Sequence, residues 1–505
     1  MNWKVCWENS LAGRACAGLR RYSRYSRLRG FFYDVPVHHR PAVYEHSLVV
    51  RLVSRLAAAA AAPLEKAAGA VRRGLPASRV HNARVPGWLS ASRLYAALAG
   101  VRVETLLWAV VLYVVLDYAF RTLPAASSLA PVWDELLLLV IAALWPVQMA
   151  LRGRLAYRRT QVDMPVFIFI GVSLVLFFLR SPDTGLAMEG LRVYLQYVLW
   201  FFVGSNLLLN LAQCRALVRG MVAVAALIAA HGVYQYIIGV EMPAGWVDAA
   251  EAGVRTRVYS IIGSPNVLGS FLVLFIPVTL SQFLSSSRRG TRYLYLACLA
   301  LMAFCLVVTY SRGAWAALAG ALLVYSLLYN WRMLAALAAG AALAPQIFPG
   351  IVSRLTYLLS PAYLASSQRA GRLARWQVAL DKVRDNPLAG EGFGRFGGAV
   401  AARHIPGSFY VDNFYLKTAV EAGLLGLAAL LWLLLSVVRC GLSAAARLRD
   451  GYLKLLAVGI LSGLVGVMLH NGVENIFEVP MMCTYFWLLA GFLAALPFID
   501  PAAGE

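Results

Sequence analysis

The sequence predicts an all-α, polytopic membrane protein with about 12 transmembrane helices and a long external loop between helices 9 and 10. The 505 residues are 60% hydrophobic and only 14% charged. Apolar runs of membrane-spanning length recur from about Glu104 to the end of the chain. A hydrocarbon core of ~30 Å takes ~20 apolar residues per helix, and unpaired backbone groups are excluded there. Helices are therefore the expected spanning elements.

Positive charge is concentrated in residues 1–102, which hold 17 Lys/Arg against four Asp/Glu, within a net charge of +22. Next to a membrane span, a basic stretch indicates anionic head groups and the cytoplasmic side more often than nucleic acid. We therefore interpret residues 1–102 as a basic cytoplasmic N-terminal arm that contacts anionic phospholipid. No nucleic-acid partner is expected.

The seven cysteines show neither the paired spacing of a metal site nor the pattern of a disulfide framework. Most of them lie in or beside apolar runs, where cysteine acts as a small apolar side chain. We expect no metal and no cofactor.

Twelve spans follow from the hydropathy, with boundaries good to several residues. They cover residues 104–121, 133–151, 164–180, 191–209, 216–238, 260–283, 293–310, 314–330, 333–350, 414–438, 455–471 and 480–498.

Basic residues follow every even-numbered span except the last, which indicates that those connections face the cytoplasm. These residues are Arg152, Arg154, Arg158, Arg159, Arg215, Arg219, Arg288, Arg289, Arg292, Arg332, Arg439, Arg447, Arg449 and Lys454. The alternate connections then face outward, including residues 351–413. The predicted organisation is the arm (1–102), helices 1–9 (103–350), an external catalytic loop (351–413), and helices 10–12 with the C-terminal tail (414–505).

Three arginines outside the long loop break the charge bias by lying on the predicted outer side. Arg255 and Arg257 precede a span that opens with Gly263-Ser-Pro-Asn266, and Arg312 lies in a tight turn between two spans. An arginine fork binds phosphate oxygens through two hydrogen bonds. The alternative is that these side chains extend to the membrane interface without a ligand.

The long loop is predicted to contain a helix from Gln368 to Asn386 that ends at Pro387. Its apolar face should pack on the membrane domain through Leu373, Trp376, Leu380 and Val383. An adjacent basic strip holds Arg369, Arg372 and Arg375. The following Gly390-Glu-Gly-Phe-Gly394 follows no strand, so we interpret it as a compact turn and not as a dinucleotide-binding motif.

Asp412 and Asn413 lie where the loop meets the tenth span, and Glu421 lies about two and a half turns further along. A carboxylate at that depth is costly unless it is paired or lies in polar surroundings. Asp412 is a candidate functional residue, a candidate helix N-cap, or both.

These segments, in this order, resemble the O-antigen ligase and O-antigen polymerase family of bacterial envelopes. The resemblance covers roughly residues 165–498 and is strongest over 255–427. It is carried by Arg257-x5-Gly263-Ser-Pro-Asn266, Ser311-Arg-Gly-Ala314, the Arg-Trp helix before Pro387-Leu-x-Gly-x-Gly392, and Asp412-Asn413 with Gly423 and Gly426. Family ligases carry a histidine, thought to be the base, where this chain has Asp412. The difference favours polymerase-like relatives, including those that build teichuronic acid or other polysaccharides.

The resemblance implies an integral glycosyltransferase on the outer face of the bacterial cytoplasmic membrane, with undecaprenyl-diphosphate-linked oligosaccharide as donor and a glycan as acceptor. It also allows contact with other envelope-polysaccharide machinery. Arg257 and Arg312 would bind the diphosphate, supported by Arg255 and by Arg369, Arg372 or Arg375. Asp412 would accept the proton of the acceptor hydroxyl, with His404 as the other candidate and Asn413 in an orienting role.

Two other classes of function stay open. A transporter or flippase for an anionic lipid or solute could use His231, Gln235 and His470 within predicted spans. Such a protein should show repeats and a polar path through the midplane, whereas here the polar residues gather at the outer side. A membrane scaffold anchored by the basic arm has only that arm in its favour.

Overall fold

The computed structural model describes residues 102–151, 157–242, 256–347, 356–357, 360–369 and 371–501. The basic arm (residues 1–101) and Arg255 lie outside the described residues, so the statements made about them stay predictions. Residues 102–145 and 156–505 form one compact unit. Residues 146–151 are described but lie outside this unit.

The described residues fold into helices joined by turns and short 3-10 segments, without a strand. The α-helices are α1 (Leu107–Val111), α2 (Tyr113–Thr122), α3 (Trp133–Leu151), α4 (Asp163–Leu179), α5 (Thr184–Leu195), α6 (Trp200–Leu207), α7 (Leu211–Ile238), α8 (Pro265–Ser285), α9 (Arg289–Val308), α10 (Arg312–Tyr329), α11 (Met333–Ile347), α12 (Pro361–Arg369), α13 (Arg372–Asp385), α14 (Ala399–His404), α15 (Phe414–Arg447), α16 (Gly451–His470) and α17 (Pro480–Ala495).

Eight helices within the described ranges are long and apolar enough to cross a membrane. They are α5 with α6, α7, α8, α9, α10, α15, α16, and α17 with its terminal turn. A ninth would be the bent pair α1–α2, whose two parts meet at 70°. The chain is therefore a multi-pass membrane protein.

Each of the twelve predicted spans coincides with a helix, but the number twelve stays a prediction. The third corresponds to α4, which has only 17 residues. The second and ninth correspond to α3 and α11, which are not among the eight. The first is interrupted at Leu112, where the backbone leaves helical geometry. A hydropathy window detects apolar length, but it does not detect a bend inside that length.

Close packing around α16 forms the centre of the bundle, where this helix contacts α8 and α10. Gly459 and Gly463 lie one turn apart, so they share a face of α16. A Cβ at Gly463 would lie 2.3 Å from the Leu274 carbonyl oxygen, and one at Gly459 would lie 2.7 Å from the Pro277 oxygen. Such small residues allow two membrane helices to approach backbone to backbone.

The helix connections define two ends of the bundle. One end holds the starts of α8, α10 and α15 and the end of α16. The opposite end holds the starts of α7, α9 and α16, and it carries basic residues of the predicted cytoplasmic connections, namely Arg215, Arg219, Arg288, Arg289, Arg292, Arg447, Arg449 and Lys454.

The helix predicted from Gln368 to Asn386 corresponds to two helices, α12, which ends at Arg369, and α13, which begins at Arg372 after the extended backbone of Gly371. Gly371 approaches Ser367 so closely that a Cβ would lie 2.6 Å from its Cα. Trp376 and Val383 pack against the buried cluster of Ala379, Phe396, Val411 and Val420, as predicted, but Leu373 and Leu380 are 38% and 43% exposed. Only part of the predicted apolar face of α13 is therefore buried.

The glycine-rich turn after Pro387 forms hydrogen bonds on both sides of a break in α15. Gly423 has φ 65° and ψ −175°, which interrupts that helix. The Leu424 amide donates to the Pro387 carbonyl (2.8 Å), and the Glu391 and Gly392 amides donate to carbonyls just before the break (2.8 and 3.0 Å). The predicted compact turn is confirmed, and it satisfies backbone groups that the broken helix leaves unpaired.

Gly390→Ala should destabilise the protein more than Gly407→Ala. Both glycines have positive φ, 71° and 76°, so alanine is strained at both by about 1–2 kcal/mol. A Cβ at Gly390 would also lie 2.5 Å from the Val420 carbonyl oxygen, whereas Gly407 has open space. We expect an additional loss of about 1–3 kcal/mol for the Gly390 variant, measured by thermal unfolding in detergent. Equal losses of stability in the two variants would contradict the close packing of the glycine-rich turn against α15.

Candidate functional site

Three helix N-termini meet at one end of the bundle, where the chain places most of its predicted site residues. Ser264, Ser311 and Asn413 cap α8, α10 and α15, each accepting a backbone amide through its side chain. The N-terminus of a helix carries a partial positive charge. The convergence of three such ends favours negatively charged groups in the space between them.

Two arginines of α13 bind the carboxylate of Asp412. Arg375 Nη1 lies 3.2 Å from Asp412 Oδ2, and Arg372 Nε lies 3.5 Å from the same oxygen. Arg372 also faces Glu474, with 3.7 Å between its Nη2 and the Glu474 Oε2. Arg372 therefore lies between two carboxylates that belong to different parts of the chain.

The same network continues through Asn266 to Arg257. The Asn266 amide donates to Glu474 Oε2 (2.5 Å) and accepts from Arg257 Nη2 (3.0 Å). Arg257 Nε donates to the Thr309 carbonyl at 2.9 Å, and the side chain is buried. We call Arg257, Asn266, Arg372, Arg375, Asp412 and Glu474 the arginine network.

Arg312 follows the Thr309 carbonyl by three residues, so its turn adjoins the arginine network. The next residue, Gly313, packs against the segment that carries Glu474. A Cβ at Gly313 would lie 2.8 Å from Val473 Cγ2 and 2.9 Å from His470 Nε2. The Arg312 guanidinium lies over the Tyr363 ring of α12, 5.1 Å from its centroid.

Strained backbone marks the same region. Within the described residues, three non-glycine positions have positive φ: Ser260 (50°), Tyr310 (52°) and Asp412 (52°). Ser260 lies between Arg257 and Asn266, and Tyr310 lies in the turn before Arg312. Such conformations are uncommon outside glycine and occur often at functional sites.

The backbone before Asp412 is held from both sides. Trp376 Nε1 donates to the Val411 carbonyl and Arg375 Nη1 to the Tyr410 carbonyl, both at 3.0 Å. The Val411 amide in turn donates to Gly397 at 3.0 Å. Arg375 therefore both binds the carboxylate and fixes the chain that presents it.

The two carboxyl groups have raised pKa values. Burial raises the pKa of Asp412, and Arg372 and Arg375 oppose that rise. Burial and, second, the negative charge of Asp412 raise the pKa of Glu474 to about 7, while Arg372 and the Asn266 hydrogen bond oppose this. A carboxyl with a pKa near neutrality suits proton transfer at physiological pH.

The contact of Arg372 with Asp412 is long. The buried Arg372 Nε lies 3.5 Å from Asp412 Oδ2, at the outer limit for a hydrogen bond. Arg372 is therefore held between Asp412 and Glu474 mainly by charge.

Buried ion contacts lie beside the arginine network. Lys417 Nζ binds Glu421 Oε2 (2.5 Å) and lies 3.4 Å from Glu478 Oε1, and all three side chains are at most 4% exposed. Asn475 donates to Glu478 (3.0 Å) and accepts the Asn413 amide (3.1 Å). Glu421 also accepts from Tyr194 and from the Phe396 amide. Glu421 is therefore paired and structural, and these contacts connect α15 to the 471–478 segment.

Residues 297–431 match the protein-family model described as O-Antigen ligase. This stretch is similar to the O-antigen ligase family. It runs from α9 into α15 and includes Arg312, Arg372, Arg375, Asp412 and Asn413. The resemblance found in the sequence is confirmed, and it supports a glycosyltransferase-like membrane enzyme of glycan polymerisation or ligation.

A solved structure described as "Structural coordination of polymerization and crosslinking by a peptidoglycan synthase complex" is similar over 68% of this chain and 97% of the other. Its sequence identity is 18% and its TM-score 0.38. A TM-score this low does not establish a common fold. A search of curated proteins returned no match.

The structure brings together Arg257, Arg372, Arg375 and Asp412, and it places the turn of Arg312 beside them. Asn413 is the N-cap of α15, with its Oδ1 accepting from Leu416 at 3.0 Å, so the cap considered for Asp412 belongs to its neighbour.

Two predicted site residues lie apart from these contacts. Arg369 is exposed at the end of α12. His404 is exposed and contacts Glu189 of α5 at 3.2 Å. The transporter candidates are engaged locally: His231 with Ser260, Gln235 with the Tyr259 and Ser260 amides, and His470 with Ser270.

The sequence analysis did not single out Glu474, which completes the arginine network. Glu474 lies outside residues 297–431, the part of the chain that matches the family model. Its connection, residues 472–479, holds two carboxylates within five residues between apolar spans, namely Glu474 and Glu478. Carboxylates at the edge of a membrane domain are expensive unless paired. These two carboxylates, together with the excess of arginines on the predicted outer side, were the sequence signal that could have identified Glu474.

Glu474→Gln should remove a pH-dependent loss of stability. The carboxyl has a raised pKa of about 7 in the folded chain against an ordinary value of 4.5. The folded state therefore binds more protons than the unfolded state between these values, so stability falls as pH rises from about 5 to about 7. Thermal unfolding across this range should show the unsubstituted protein losing stability relative to the variant, with the difference constant above pH 8. Parallel curves would show that Glu474 titrates normally.

Proposed function

We propose that the protein is an integral-membrane glycosyltransferase that uses an undecaprenyl-diphosphate-linked oligosaccharide and extends or attaches a glycan on the outer face of the cytoplasmic membrane. The observation that carries the proposal is the arginine network, in which four separate segments bring three arginines, Asn266 and two carboxylates together at one end of the bundle. The O-antigen ligase family of residues 297–431 supports the same reaction class.

The charge of the region suits a diphosphate. Arg257, Arg312, Arg372 and Arg375 contribute four positive charges, and the two carboxylates contribute two negative charges, so the excess is two positive charges when both carboxyls are ionised. Guanidinium groups bind phosphate oxygens in pairs, and such bonds strengthen where water is scarce. Three capped helix N-termini add to the field.

The reaction is a displacement at the anomeric carbon of the donor sugar. The acceptor hydroxyl oxygen forms the new glycosidic bond, and the bond from that carbon to the diphosphate oxygen breaks. The bonding electrons leave with the diphosphate lipid, whose developing charge the arginines stabilise. The hydroxyl proton passes to a carboxylate of the arginine network.

Either carboxylate is a candidate proton acceptor. Asp412 has Arg372 and Arg375 on one oxygen, and paired cations weaken a base. Glu474 has the higher affinity for a proton, with a pKa of about 7, and faces only Arg372. We therefore place Glu474 ahead of Asp412 as the base, with Asp412 holding the two arginines in position. His404, bound to Glu189, ranks third.

The charge at the opposite end of the bundle supports the proposed outer location. That end carries basic residues at the starts of α7, α9 and α16 and at the end of α15, namely Arg215, Arg219, Arg288, Arg289, Arg292, Arg447, Arg449 and Lys454. The bias of basic connections toward the cytoplasm would then orient the arginine network outward. Cysteine labelling at position 410 from either side of the membrane tests this orientation.

Substituting the arginines should abolish transfer. Arg312→Ala, Arg372→Ala and Arg375→Ala should each lower the rate by about 100-fold or more, as expected for loss of a preorganised charge partner. Arg384→Ala is the matched control, because Arg384 lies on α13 but is exposed and binds Asp381. Purified protein is incubated with lipid-linked oligosaccharide, and products are separated by size. A ladder identifies a polymerase and a single adduct a ligase, whereas unchanged products in the three variants would exclude the arginines from the site.

The base can be identified from the pH dependence of transfer. In the unsubstituted protein, kcat/KM should rise with pH through about 7, because Glu474 must lose its proton first. Glu474→Gln should remove most activity and eliminate this rise, whereas Asp412→Asn should lower activity and leave the rise in place. His404→Gln, at an exposed residue bound to Glu189, should leave both unchanged. A rise that persists in Glu474→Gln and disappears in Asp412→Asn would assign the proton to Asp412.

A further inference from the structure

A groove of 970 Å³ lies at the end of the bundle opposite the arginine network. Its walls come from α7, α8 and α9, with one residue from the start of α16. We call it the basal groove. We propose that the basal groove binds one anionic phospholipid, with the phosphate at its basic mouth and an acyl chain along its apolar wall.

The mouth of the basal groove is cationic. Arg215 and Arg219 project from the first turns of α7, and Arg288 lies just before α9. No Asp or Glu lies among the residues that line the basal groove. The Arg215 guanidinium lies over the Tyr452 ring, 4.7 Å from its centroid, which fixes it at the mouth. Three guanidinium groups without a neighbouring carboxylate favour a phosphate.

The remainder of the basal groove is apolar and long. Val222, Ala226 and Ala230 follow one another at four-residue intervals and form one face of α7. From Arg215 to Ala230 this wall extends about 22 Å at 1.5 Å per residue. Half of a hydrocarbon core is ~15 Å thick. The basal groove therefore has the length and polarity needed for one lipid molecule in one leaflet. A free phosphate ion would contact only the basic mouth and not the apolar wall.

Two polar side chains also line the basal groove near its mouth. Gln282 is 3% exposed, and the hydroxyl of Tyr452 is buried. The basal groove is therefore polar as well as cationic where the phosphate would lie.

The basal groove is separate from the arginine network, since Asn266 lies at the start of α8 and Gln282 near its end. An anion bound there would not meet the donor site. The proposal also does not depend on the basic arm, because its charged residues come from the described helices and their connections.

The test is native mass spectrometry of the full chain in detergent, supplied with phosphatidylglycerol, phosphatidylcholine or glycerol 3-phosphate. We expect one retained phosphatidylglycerol, little phosphatidylcholine, and no displacement by glycerol 3-phosphate. Arg219→Gln and Arg288→Gln should each weaken phosphatidylglycerol retention about tenfold, the scale of one lost charged hydrogen bond. Arg332→Gln, an exposed arginine at the same end but outside the basal groove, should retain it fully.

A second variant tests the acyl chain without changing charge. Ala223→Trp would fill the basal groove at an exposed lining residue, whereas Ile237→Trp places the same ring elsewhere on α7. Only the first should lose the lipid. Equal retention of the two lipids, displacement by glycerol 3-phosphate, or loss in the Arg332 control as large as in the groove variants would each overturn the proposal.

Discussion

The contact of Lys417 with two carboxylates is the interaction on which the site depends. An ammonium group that is 2% exposed is tolerated in a membrane domain only when it is paired. Glu421 supplies one partner from the same helix and Glu478 the other from the connection after α16. Gly398 permits this approach, because a Cβ there would lie 2.4 Å from Lys417 Cε. The long loop, α15 and the 471–478 segment are thereby held together.

The two carboxylates of the arginine network, Asp412 and Glu474, lie next to residues that take part in those buried contacts. Asn475 ties Glu478 to the backbone of Asn413, and Asp412 precedes that residue. Glu474 precedes Asn475 in turn. The two carboxylates of the arginine network are thus anchored through residues that are themselves held by a buried charge. Removing one partner of a buried ion pair leaves an uncompensated charge, so a change at Glu478 would disturb Asp412 and Glu474 together.

Much of the fold could be predicted because the dominant force is the length and apolarity of each span. Arg257, Arg312, Arg372, Arg375 and Asp412 could also be found, since charges on the predicted outer side of a membrane protein demand partners. Their mutual contacts could not be deduced, because they depend on how distant helices pack. The split of α12 from α13 and the bend at Leu112 arise from local backbone geometry that a hydropathy pattern does not contain. Glu474 was missed because its partners lie about 60 to more than 200 residues away in the sequence.

The arginine network is assembled from segments around residues 257–266, 372–375, 412 and 474, and the turn at 309–312 adjoins it. Each segment alone holds an incomplete set of charges, and only folding makes the set complete. A replacement in one segment therefore changes what is tolerated in another. Homologous sequences should record this interdependence as correlated substitutions, strongest between positions 266 and 474 and between 372 and 412. The same interdependence would oppose recombination between distant relatives at breakpoints inside residues 266–474, because hybrid chains would combine mismatched halves of one charge arrangement.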